Sequence, residues 1–388
     1  MFNRRTVLSA SAAVAGLLGA SAKAKTQNAK WDVQPRGQVG RTERLPNVDL
    51  ESRQDFLTGF RTFTNNDLSK AAERRSRQIL AENGIDPRAD LPVEKVRELF
   101  EPDPTIGSYV RAARATQDGM HYNLAEMFHA NADTYLAEME ATDNVGPGTL
   151  ELNPELFIPE YARHEIHTQP GGYVGEDLAG HIYHYGTHSF YQGRNDQDGV
   201  QESFANSLTP PPDGRVLRIL DMGTGIGQMA VAMKERFPQA EVWGVDVAAP
   251  MLRYGHMRAV DLGVEINFAQ RLAEDTQFPD DYFDIVTSYI MHHELPADIT
   301  RAVVREAHRI TRPGGVYSPF DFASDKYVNW TPYRRFRTWV DHRWNREVWR
   351  MEYGALDFPA EIAAVGFDVK KGNSIRRGFG AITGVKPA

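Results

Sequence analysis

The sequence predicts an α/β fold: a parallel sheet with helices on both faces in the C-terminal half, preceded by a helical N-terminal half. Three observations predict it. After residue 214, short apolar runs alternate with amphipathic stretches, the rhythm that builds a parallel sheet. Between about 51 and 140, apolar residues recur at helical spacing instead. Between the two, ANSLTPPPDG (205–214) sets three consecutive prolines before an Asp-Gly turn, which reads as a linker.

Composition narrows the function classes. The 388 residues suit about two domains, and 41% hydrophobic with 25% charged residues describes an ordinary folded chain. A net charge of −8 argues against a protein that neutralises nucleic-acid phosphates. The absence of cysteine removes disulfides, thiolate metal ligands and thiol nucleophiles together.

The N-terminus reads as an export signal over residues 1–26. Arg4 and Arg5 precede a weakly apolar stretch from Val7 to Ala22, and Asn3-Arg4-Arg5-Thr6-Val7-Leu8 resembles the bacterial twin-arginine signal. Ala20-Ser21-Ala22 and Ala22-Lys23-Ala24 both suit cleavage. The expected location is the periplasm where the signal is used and the cytoplasm where it is not. No other stretch reaches about 20 apolar residues, so no stable membrane span is expected after removal.

Residues 27–50 read as a linker and 51–204 as a mainly helical N-terminal or lid domain. Leu68, Ala72 and Ile79 share a face, as do Val93, Val96 and Leu99, then Tyr109, Val110 and Ala113, then Phe128, Ala132, Tyr135 and Met139. Pro102 and Pro104 break one helix from the next. Over 215–388 the expected strands are VLRILDMG, AEVWGVDV, VEINFA, FDIVTSYI and GGVYSPFDF. Helices fall over GQMAVAMKERFP, 250–261 and ADITRAVVREAHRIT.

The turn after the first of these strands carries the chemistry. A dinucleotide fingerprint requires G-x-G-x-x-G, whereas Gly223, Gly225 and Gly227 alternate and Asp221 stands two places before them. That D-x-G-x-G-x-G looks like the first motif of the class I S-adenosylmethionine-dependent methyltransferases, and it disfavours the alternative of an NAD-dependent oxidoreductase. Val242-Trp243-Gly244-Val245-Asp246 ends the next strand on a carboxylate, and Arg312-Pro313-Gly314-Gly315 matches the family's L-x-P-G-G. The segment AEDTQFPDDYFDIVTSYIMHHELP (273–296) is similar to the ubiquinone/menaquinone branch. That branch has an Asp for the adenine amino group where this chain has Leu272.

The resemblance covers about residues 214–388. It implies a Rossmann-like class I methyltransferase sheet, mostly parallel with an antiparallel last strand, from PAEIAAVGFDVKKG and AITGVKP. It implies S-adenosyl-L-methionine as cofactor and a small-molecule substrate. Asp221, Gly223, Gly225, Gly227 and Ser288 fall among the cofactor contacts. Asp246 is the expected ribose ligand, Val247 and Met251 the neighbours of the adenine, and Ala273 or Glu274 the substitute for the missing Asp. The alternative is a non-catalytic, exported nucleoside-binding protein on the same fold.

His292 and His293 follow the fourth strand, and either suits a general base near neutrality; the other reading is that they pack. The segment 164–194 holds five of the 12 histidines. His181, His184 and His188 share a helix face, but their spacing matches no zinc signature, and no metal is expected. A substrate-covering lid that includes Tyr185, His188 and Tyr191 is the leading reading, with a packed interface as the alternative. An aromatic insertion, 325–353, carries the stripe Tyr333, Phe336, Val340, Trp344 and Val348 of an amphipathic helix. Its Trp330, Tyr333 and Trp339 are expected either in a substrate cap for an apolar or aromatic acceptor, or in core. A dimer-forming helix has the same composition.

Overall fold

The computed structural model describes residues 38–39, 41–43, 45, 47–168, 172–324, 331–371 and 379–388. The expected signal at 1–26 lies outside them, as does Trp330. The chain opens on a short antiparallel pair, β1 (Gln38–Val39) and β2 (Thr42–Glu43). Helices follow over Val48–Phe63, Ser69–Glu82, Val93–Phe100, Pro104–Ala130 and Ala132–Glu140. The break expected near Pro102 and Pro104 has a physical basis. Proline suits the first turn of a helix, and Asp103 caps that turn by accepting from the amides of Thr105 (3.0 Å) and Ile106 (3.2 Å).

Among the described residues the main sheet has eight strands. β3 (Gly148–Glu151), β4 (Arg218–Met222), β5 (Glu241–Asp246), β6 (Ile266–Gln270), β7 (Phe283–Tyr289), β8 (Thr311–Phe322), β9 (Asp368–Lys371) and β10 (Phe379–Val385) lie in the order β3-β6-β5-β4-β7-β8-β10-β9. Every pairing is parallel except those of β10, which runs antiparallel between β8 and β9. The α/β class with a mostly parallel sheet, an antiparallel last strand and a helical region in front is therefore the observed one. Helices Gln228–Arg236, Ala249–Leu262 and Ala297–Ile310 connect the strands where the alternation predicted them.

Two boundaries differ from expectation. The linker expected at 27–50 is tied down where it is described: Thr42 and Leu45 are buried, and Arg41 pairs with Asp198 and Glu235. The helical half also contributes β3 to the sheet, four residues too short to show a period. It shares a core with the C-terminal half, because Leu124, Phe128, Leu178 and Ile182 pack with Ile226, Met251 and Tyr254. Helix Ala179–Phe190 approaches helix Ala249–Leu262 so closely that a Cβ on Gly180 would stand 2.2 Å from that of Tyr254. The helix that opens the aromatic insertion packs on the helical half. Tyr333 and Phe336, on helix Pro332–Trp344, pack edge-on against Phe100, and Arg97 stacks over Trp339. Tyr333 and Trp339 thus help close the core of the helical half and line neither of the two cavities described below.

Arg312 and the linker are fixed by one buried carboxylate. Asp284 accepts from Arg312 Nε (2.5 Å), Arg215 Nε (2.9 Å) and the amides of Leu217 (2.8 Å) and Arg218 (2.9 Å), while Arg312 also holds Asp213. Burial alone would raise the Asp284 pKa, but these donors outweigh it and hold it below its ordinary value. A depressed folded-state pKa gives stability that is present above the unfolded value and lost as pH falls. Asp284→Ala strands Arg312 and is expected to cost about 3–5 kcal/mol in urea unfolding at pH 7. The difference from the parent should shrink towards pH 3.

Candidate active site

The carboxyl ends of β4, β5, β6 and β7 face one cavity of about 180 Å³, the place where such sheets bind ligands. Its floor is the glycine turn between β4 and helix Gln228–Arg236. Gly223 has φ +65°, and a Cβ there would lie 2.5 Å from Met291 Sδ, so only glycine fits. Asp221 does not line the cavity. It is fully buried under the turn, where Oδ2 accepts from the Thr224 hydroxyl at 2.6 Å. Burial, with the nearby charge of Asp246, pushes its pKa up to about 7 against the opposing bond from Thr224.

Asp246, at the tip of β5, faces the cavity. Its Oδ2 accepts from Gly225 N and its Oδ1 from Ala248 N, both at 2.9 Å, so the two turns hold one carboxylate between them. Desolvation nonetheless raises its pKa. Gly223, Gly225, Val247, Met251, Leu272, Ala273 and Glu274 continue the wall, whereas Ser288 is buried within β7 and does not reach it. Glu274 Oε1 accepts from the Tyr161 hydroxyl at 2.5 Å, and its Oε2 is buried without a partner.

The two adjacent histidines face opposite ways. His292 turns into the core: Nε2 bonds to the Tyr317 hydroxyl at 2.6 Å, its ring packs on Phe358, and burial lowers its pKa to about 4. It lines no part of the cavity and has no access to an acceptor. His293 does line it, with Nδ1 2.8 Å from Asp321 and Nε2 3.4 Å from Glu294. Burial disfavours its charge, but the two carboxylates outweigh that and raise its pKa to about 10. Both carboxylates favour its charged form and occupy its two ring nitrogens, an arrangement suited to holding the carboxylates in place rather than to accepting a proton.

Residues that the sequence gave no role complete the site. Tyr161, His167, Tyr173 and Tyr183 reach over from the helical half, and Glu294 follows the histidine pair. His167 Nε2 lies 3.1 Å from Glu347 and 3.6 Å from Glu294, and its Nδ1 lies 3.3 Å from the Tyr173 hydroxyl. Three of the four overlying residues belong to or adjoin the histidine- and tyrosine-rich segment, so composition located the region but not the members. Tyr185 instead bonds Glu51 and His188 bonds Asp196, both away from the cavity.

A second chamber of about 90 Å³ adjoins the first. His167, Tyr173, Tyr183 and Ile290 line both and form the partition between them. Beyond it lie Met120, Leu124, Ile182, Phe190 and Tyr191, whose hydroxyl shares a short hydrogen bond with that of Tyr289. The chamber holds no carboxylate, lysine or arginine, and burial lowers the pKa of His121 to about 4, so that side chain is neutral. Among the described residues no group of three His, Cys, Asp or Glu is placed to hold a metal.

Residues 219–315 match the family model described as "Methyltransferase domain". The match is a likeness to methyltransferases that use S-adenosyl-L-methionine, confined to this segment. The chain is 42% identical over 98 residues to a demethylmenaquinone methyltransferase of Thermus thermophilus, covering 25% of this chain and 44% of that protein. It is 28% identical over 180 residues to a ubiquinone/menaquinone biosynthesis C-methyltransferase of Burkholderia orbicola, covering 42% and 73%. An uncharacterized methyltransferase of Bacillus subtilis is 38% identical over 120 residues, covering 29% and 46%. The chain spans about half the length of several of the curated relatives it matches.

The protonation of the two histidines is measurable. In nitrogen-15 spectra, His292 should remain neutral down to pH 5 and His293 cationic up to pH 9. A raised folded-state pKa stabilises fully below the unfolded value of about 6.5 and is lost as pH rises through about 10. His293→Gln should accordingly lose stability at pH 7 and approach the parent above pH 10.

Proposed function

We propose that this protein transfers the methyl group of S-adenosyl-L-methionine to a small apolar organic acceptor held in the second chamber. The observation that carries the reading is the joining of the two cavities. A glycine turn and a strand-end carboxylate face the first, and a mostly apolar chamber, with no carboxylate, lysine or arginine among its described lining residues, lies across a shared partition.

The residues fit the cofactor. Asp246 has the position and the charge to accept from both ribose hydroxyls, held in place by Gly225 N and Ala248 N. Val247 and Met251 offer apolar contact to the adenine, and the orphaned Oε2 of Glu274 is an acceptor for its amino group, compensating for Leu272. Gly223 lets the backbone approach closely, and Asp221 serves the site indirectly by pinning the turn through Thr224. S-adenosyl-L-methionine supplies an electrophilic methyl on a sulfonium cation, and Asp246, Glu274 and Glu294 give its surroundings a matching negative lining. Positioning the acceptor for in-line attack then supplies much of the acceleration.

Calorimetry with S-adenosylhomocysteine tests this. The parent should bind, and Asp246→Ala should weaken binding about 100-fold by removing a charged hydrogen-bond acceptor. No binding by a folded parent at millimolar ligand sinks the reading. The twin-arginine-like sequence at 4–5 further supports export of the folded chain to the periplasm. Mass spectrometry of the chain from its native cell should then give a mature N-terminus near residues 23–25, and an N-terminus at Met1 refutes export.

A further inference from the structure

We propose that the methyl-accepting atom is a hydroxyl oxygen and that Glu294 accepts its proton. The inference rests on the methyltransferase reading above and adds the atom methylated and the base.

The partition is the starting point. Reacting atoms must approach to roughly 3–3.5 Å, so an acceptor in the second chamber meets the methyl group at the wall of His167, Tyr173, Tyr183 and Ile290. That wall brings His167 and two tyrosines to a chamber whose remaining lining is mostly apolar, Gln117, His121 and Thr187 apart. Beside it stands Glu294, whose two oxygens differ. Oε1 lies 3.4 Å from His293 Nε2 and 3.6 Å from His167 Nε2, whereas Oε2 is buried, belongs to a cavity-lining residue and has no hydrogen-bond partner. A buried carboxylate oxygen without a donor is costly, and the ligand that satisfies it must bring an N–H or O–H.

Charge selects between these. The groups facing Glu294 are His293 on its own turn, His167 and Tyr173 from the helical half, and Glu347 behind His167. Both histidines carry raised pKa values, because carboxylates outweigh their burial. A cationic amine would sit between two imidazoliums and the sulfonium, and an anionic acceptor would meet Glu294 itself. A neutral hydroxyl donates to Oε2 without either conflict, and, unlike a neutral amine, it is a poor nucleophile unless its proton leaves as it attacks, which a carboxylate oxygen at this place can take. As its oxygen bonds to the methyl carbon, the methyl–sulfur bond breaks with its electron pair passing to sulfur, and the hydroxyl proton moves to Oε2. Glu294 then returns the proton to solvent. His293 and His167, whose charged forms the surrounding carboxylates favour, hold Oε1 in place and are positioning residues.

The test uses the full chain with S-adenosylhomocysteine bound, and 4-methylphenol and 4-fluorotoluene as probes of matched shape that differ in the donor. The parent should bind the phenol at least about tenfold more tightly, the worth of a charged hydrogen bond. Glu294→Gln should erase that preference while keeping S-adenosylhomocysteine affinity within about threefold. With S-adenosyl-L-methionine, Glu294→Gln should slow methylation of the phenol about 10²–10⁴-fold at pH 7. Its residual rate should climb about tenfold per pH unit as free phenolate forms, while the parent changes little; a structural role would slow the reaction without steepening it. Glu294→Asp should restore part of the rate. Equal binding of the two probes, a preference that survives Glu294→Gln, or preferred methylation of 4-methylaniline overturns the proposal. Binding of S-adenosylhomocysteine with neither probe also overturns it, yet spares the methyltransferase reading. Loss of S-adenosylhomocysteine binding by the parent overturns that reading instead.

Discussion

The carboxylate of Asp321 decides which of two adjacent histidines faces the cavity. From β8 it accepts from the amides of His292 (2.7 Å) and His293 (3.3 Å) and from His293 Nδ1 (2.8 Å), so the turn after β7 folds around it. With the turn fixed, His292 points into the core, and His293 and Glu294 point at the cavity. Asp321 also fixes charge. Buried beside His293, it is held below its ordinary pKa although burial alone would raise it. Isolated buried charges are expensive, so the chain continues until each has a partner: Asp321 with His293, His293 with Glu294, Glu294 with His167, and His167 with Glu347. Five side chains from four distant stretches of sequence become one electrostatic unit.

This explains what the sequence could and could not disclose. The sheet was legible because its strands are fully buried and read as continuous apolar runs between turn signals, as in FDIVTSY of β7. The glycine turn and Asp246 were legible because backbone conformation and strand-end position are local properties. β3 was not, since four residues with alternating exposure carry little periodic information and its pairing partner lies over 100 residues away. Nor was the split between His292 and His293. Both have the same neighbours in sequence, and their difference arises from a carboxylate 28 residues further on. The aromatic stripe at 333–344 was legible as a helix face but not as to its partner, which proved to be Phe100 and its neighbours.

Ile290 shows where the site stores strain. It is β-branched and has φ +47°, a conformation that costs of order 1–3 kcal/mol and persists only where its surroundings over-determine it. Its amide donates to Phe320 O at 2.7 Å, which anchors the strained residue to β8 immediately beside Asp321. The same anchoring places the side chain in the partition between the two cavities. A relaxed backbone here would swing Met291, which closes over Gly223, and would release the turn that carries His293 and Glu294.

The two halves of the chain cannot therefore be separate in function, whatever the linker at 205–214 implies about chain organisation. The sheet half supplies the glycine turn, Asp246 and the Asp321-directed turn, but the cavity these residues face is open without Tyr161, His167, Tyr173 and Tyr183. The helical half supplies that cover and nearly all of the second chamber, yet its own core is closed by Tyr333 and Phe336 from the C-terminal insertion. Each half thus completes the other: the insertion closes the helical core with Tyr333 and Phe336 and, further along, holds the roof residue His167 through Glu347. A core substitution at Phe100 or Phe336 would act on the site only through that roof, and hence on acceptor retention before cofactor contact.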